Sequence, residues 1–142
     1  MSSRRTDESG RAFAGSQLQI QIYASRKPKI LSVAVAEAIA SSGKTSPNIQ
    51  WKAPLEIDNF REPIDQEFLS AIEQGDRWGL LQQFWPSHGP NWDALATFGD
   101  GRHRKGVFLV EAKSYPNEVY GSGCRATNTN SRNLIERSLN DA

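Results

Sequence analysis

The chain has one cysteine, Cys124, among 142 residues. It cannot close an internal disulfide, and a reducing compartment such as the cytoplasm fits. Long apolar runs are missing as well. The most apolar stretch, LSVAVAEAIA (31–40), is too short to span a bilayer and contains Glu37. The first residues, MSSRRTDESGRAFAGS, hold no apolar core of a secretory signal. They read as a disordered tail over 1–15. Neither charge sign dominates: 17 basic and 16 acidic residues leave a net +1. That excludes a bulk polycation and leaves room for a local basic patch. Histidine is scarce, and His88, His103 and Cys124 make a poor zinc set. Neither GDG nor GSG is followed by the Lys-Ser/Thr of a phosphate-binding loop.

What is present is the composition of one soluble globular domain, 37% hydrophobic and 23% charged, over 16–142. SQLQIQIY (16–23) alternates strictly and predicts a half-buried strand. Pro28 opens and Gly43 closes a predicted helix over 28–41. Residues 42–59 read as a connector with a short strand at IQW. Further helices are expected at 65–74 and 77–85, and at 131–142 with Ser131 as its N-cap. The four tryptophans read as core anchors.

Two apolar runs each carry an acid: Asp93 in WDALATF and Glu111 in VFLVEAK. GDGRHRK (99–105) between them has hairpin composition. With the turn centred on Arg102, 97 faces 107, 95 faces 109 and 93 faces 111. Asp93 and Glu111 then oppose one another, with Lys113 on the same face. At about 5 Å and an effective dielectric near 20, their repulsion is on the order of 3 kcal/mol. Lys113 supplies one neutralising charge. A divalent cation supplies two, and carboxylate oxygens suit Mg2+ or Mn2+. Such an ion supports phosphodiester hydrolysis, with Lys113 beside the attacking water. Arg102, Arg104 and Lys105 at the hairpin tip could meet the phosphate backbone of a nucleic acid, and a solvated turn is an equal reading.

NWDALA followed by GVFLVEAKS resembles the signature of the PD-(D/E)XK nuclease superfamily: an acid on one strand, then acid–any–lysine on the next. IQWKAPLEIDNFREPIDQEFLSAI and FWPSHGPNWDALA are similar to an uncharacterised bacterial branch of it. The resemblance implies an α/β fold, mixed in its α and β parts. A restriction-endonuclease-like central mixed sheet would be flanked by helices, with its motif core over 65–142. It implies a Mg2+-dependent nuclease acting on DNA rather than RNA. Asp93 and Glu111 would hold the metal with the carbonyl of Ala112, and Lys113 would serve the water. An acid on the helix before the sheet would assist. Among Glu62, Asp65, Glu67 and Glu73, Asp65 in IDQEFL is the first choice. The chain reaches Ala142 within the helix after the lysine strand, so the last strand of the sheet is expected to be missing. The open edge points to a homodimer. Two further readings stand beside catalysis: a nucleic-acid-binding relative without activity, and an assembly domain.

Overall fold

A computed structural model describes residues 5–40, 48–99, 105–121 and 123–141. Among these the chain is mixed α and β, with five α-helices and a three-stranded antiparallel sheet. It divides into two compact units. The first runs up to Glu62 and resumes over Trp92–Ser114. The second combines Pro63–Asn91 with the residues from Tyr115 onward. Each unit is assembled from separate segments of the chain.

The first unit begins before the expected boundary. The tail predicted over 1–15 is structured from Arg5: Thr6 bridges Ala12, and Asp7 caps a turn by accepting hydrogen bonds from the amides of Ser9 and Arg11 at 2.9 and 3.0 Å. Ala12 is buried. The predicted strand at 16–23 is a helix instead, α1 (Gly15–Gln21), continued by a π-helical turn over Ile22–Arg26 in which the Lys27 amide reaches the Ile22 carbonyl at 3.0 Å. Two facts explain the change. Glutamine and leucine are good helix formers, and the residues that become buried, Ile20 and Ala24, lie four apart on one helical face. Gln21, outward-facing in a strand, is 1% exposed and clamps the preceding segment. Its Oε1 accepts the Ala12 amide at 2.8 Å, and its Nε2 donates to the Gly10 carbonyl at 3.1 Å.

Helix α2 (Pro28–Ala40) follows as expected, with proline in its first turn. The short strand at IQW is real and becomes β1 (Asn48–Ala53). It pairs with β2 (Ala94–Gly99), which pairs with β3 (Lys105–Val110). All pairs are antiparallel, so the mixed sheet of the expectation is not what the described residues form. Ile20, Ala24, Trp51, Ala94 and Ala96 make the core of this unit, with Leu31, Val35, Phe108 and Val110 packed against it. The Trp51 indole N–H donates to Ser32 Oγ at 3.0 Å and ties β1 to α2.

The second unit holds α3 (Asp65–Ala71), α4 (Trp78–Phe84) and α5 (Thr129–Asp141). The N-cap of α5 is Asn128 rather than Ser131: its Oδ1 accepts the amides of Asn130 and Ser131 at 2.9 and 3.2 Å. The Ser138 hydroxyl, on a buried side chain, donates to the Phe84 carbonyl and joins α5 to α4. No helix among the described residues is long and apolar enough to cross a membrane.

Candidate functional site

The β2–β3 ladder has the predicted register. Thr97 faces Val107, Leu95 faces Leu109, and the last pair is Ala94 with Val110. Asp93 and Glu111 are the next residues outward on each strand, so the ladder delivers both acids to the same end of the hairpin. The Ala112 amide donates to Asp93 Oδ2 at 2.6 Å. This bond orients the first carboxylate across the two strand ends. Ala112 itself packs against the core cluster, which fixes the short segment carrying Glu111 and Lys113. The Lys113 ammonium donates to Glu111 Oε1, with both side chains partly open to solvent. One acid is thus met by an amide and the other by an ammonium.

A third carboxylate joins them. Burial holds the Glu62 carboxyl above the usual glutamate range, and the charges of Asp93 and then Glu111 push it the same way. A hydrogen bond with the Gln17 side chain opposes the shift. Three acids from three separate stretches of chain therefore share one electrostatic field, with Lys113 paired inside it. Asp65, the first choice from sequence, belongs to the second unit, where its Oδ1 and Oδ2 accept the His88 amide at 2.9 and 3.1 Å. No local pattern announces the Gln17–Glu62 contact, because the two residues are far apart in sequence.

Among the described residues, no three His, Cys, Asp or Glu side chains close on one point as a metal cage. Magnesium does not require that. It is usually held by one or two carboxylates, keeps several waters and takes substrate phosphates as further ligands. Asp93 and Glu111 fit this demand in type and in number. The indole nitrogen of Trp92, one residue before Asp93, is buried without a hydrogen-bond partner.

Of the predicted phosphate-contacting residues, Lys105 alone is described, and it stands apart from the acids. Arg102 and Arg104 lie outside the described residues. Lys105 is exposed and pairs with Gly99 at the opposite end of the ladder from Ala94 and Val110, roughly 17 Å away by the strand rise. Comparison of the chain with protein-family models, with curated proteins and with solved structures finds no match.

Proposed function

We propose that this chain is a Mg2+- or Mn2+-dependent nuclease acting on DNA rather than RNA, on a restriction-endonuclease-like scaffold of the PD-(D/E)XK kind. One observation carries the reading: the β2–β3 register brings Asp93 and Glu111 to one end, where Glu62 feels both charges and Lys113 is bound to Glu111. Two acids at one end of the hairpin, with Glu62 feeling both charges, favour a cation there, and acid–any–lysine on the second strand supplies the partner for water.

Asp93 and Glu111 would hold the ion together with the Ala112 carbonyl, and Glu62 takes the assisting role first assigned to Asp65. When bound, the ion supplies Lewis acidity to the phosphodiester and lowers the pKa of a coordinated water. The chain does the rest. The Ala112 amide keeps Asp93 aimed. Glu111 keeps Lys113 at the site, where the ammonium places the attacking water and offsets negative charge growing on the phosphate. The deciding experiment is magnesium titration by calorimetry, followed by incubation with plasmid DNA. Wild type binds magnesium; Asp93→Asn and Glu111→Gln do not. Lys113→Ala still binds the ion but cleaves at least about 100-fold more slowly. A wild type that binds no magnesium at low salt overturns the reading.

An assembly role is the second reading. Helix α2 buries no residue, and Ile30 and Val33 are 58% and 56% exposed, so a second copy is a natural cover. Sedimentation over a hundredfold range of concentration distinguishes it: a mass that stays monomeric throughout removes it.

A further inference from the structure

Beside Glu62 lies a groove of about 660 Å3, formed wholly within the first unit and lined by Gln17, Ile57, Asp58, Asn59, Arg61 and Glu62. We propose that it is the subsite for an unpaired nucleobase next to the phosphate under attack; the proposal rests on the nuclease reading. The argument starts from the backbone. Asn59 and Phe60 are consecutive non-glycine residues in the left-handed region, with φ of 53° and 54°. Such conformations persist where the surroundings impose them, and they gather at ligand-contacting segments.

Here the surroundings do impose them. The Phe60 amide reaches the Leu55 carbonyl at 2.9 Å and the Asn59 amide reaches Glu56 at 3.1 Å. The Phe60 side chain is buried. Arg26 holds the Glu56 carboxylate through its Nε at 3.2 Å, and Ser25 Oγ accepts the Glu56 amide at 2.9 Å. Gly10, with φ of 76°, lies so close that a Cβ there would meet the Asn59 carbonyl oxygen at 2.0 Å. The groove is therefore preformed and does not need a ligand to shape it.

Its chemistry selects a base over a phosphate. The lining carries one guanidinium, Arg61, and two carboxylates, Asp58 and Glu62, so it disfavours an anion. Gln17 and Asn59 offer amide donors and acceptors suited to the edge of a base. Ile57 is 87% exposed, an apolar side chain at a polar groove, and suits the flat face of a ring. A base seated there places its own backbone beside Glu62, in the field shared with Asp93 and Glu111.

The test is fluorescence anisotropy at low salt with Ca2+ in place of Mg2+, so that the acids are neutralised while the strand binds. It uses a labelled 20-nucleotide single-stranded DNA of mixed sequence and an abasic strand of the same length. Wild type is expected to favour the base-bearing strand about tenfold. Ile57→Ala, a surface change, and Asn59→Gly, which suits the left-handed backbone, should each cut that preference at least threefold and leave abasic affinity unchanged. No preference in wild type, or an undiminished one in both variants, overturns the subsite. Plasmid cleavage by wild type in magnesium, together with either of those results, leaves the nuclease reading standing and removes only the groove. Failure to bind either strand, without cleavage, overturns both.

Discussion

Two stretches of the first unit both read as strands, and they fold differently. WDALATF feeds β2, which lies between β1 and β3 with ladders on both sides. SQLQIQIY forms α1 and the start of the π-helical turn. In β2 burial does not alternate: Ala94, Leu95 and Ala96 are all fully buried, as in a strand covered on both faces, and the next residue outward from Ala94 is Asp93. In α1 the polar half of the pattern is split: Gln19 is exposed, but Gln17 is half-buried and Gln21 is buried. Gln21 is buried against the 5–14 segment, and Gln17 bonds to Glu62. Alternation identifies a strand only where polar means exposed. Glutamine breaks that rule because it can satisfy backbone groups while buried.

The largest expected effect breaks the α1 side of the comparison. Gln21→Ala leaves the Ala12 amide and the Gly10 carbonyl without partners in a buried place, and it opens a cavity. A loss of about 2–4 kcal/mol is expected. Hydrogen exchange should show the Ala12 amide losing protection before the Ala112 amide, which Asp93 holds independently. Equal loss at both would mean that the 5–14 clamp and the hairpin end are a single cooperative element.

The hairpin side breaks at Gly106. It pairs with Phe98, and a Cβ there would lie 2.1 Å from the tip of the Phe98 ring. That ring also stacks on Phe108 at 4.6 Å between centroids. Gly106→Ala must displace the ring and disturb this pair, costing about 1–3 kcal/mol. Thermal unfolding measures it; a melting temperature unchanged from wild type would show that Phe98 turns aside freely.

The β2–β3 register, which carries Asp93 and Glu111 to one end of the ladder, was legible because it rests on local rules of pairing geometry. Helices α2 to α4 were legible for the same reason, from proline placement and apolar spacing. What stayed hidden depends on distant partners. Nothing in RTDESGRAFA announces that Gly10 must fit against Asn59. The contact of Gln17 with Glu62 was hidden too, because the two residues are far apart in sequence. The division into two units was hidden because each is built from pieces far apart in sequence.

The smallest effect is also the most discriminating for the site. Burial, then Asp93, then Glu111 raise the Glu62 carboxyl above the ordinary glutamate range. Its folded-state pKa exceeds its unfolded one, so the native state holds the proton more tightly. The associated stability is fully present below the unfolded pKa, about 4.3, and is lost as pH rises through the folded value. Glu62→Gln keeps the shape and removes the charge. At pH 7 the variant should therefore melt slightly higher than wild type, and at pH 4 the two should converge. On the proposed metal reading, magnesium should narrow the gap at pH 7, because an ion held by Asp93 and Glu111 offsets the charges that Glu62 feels. A gain that is the same at pH 4 and pH 7 would mean that Glu62 does not feel Asp93 and Glu111, and the three-carboxylate site would then reduce to the two acids at the ends of β2 and β3.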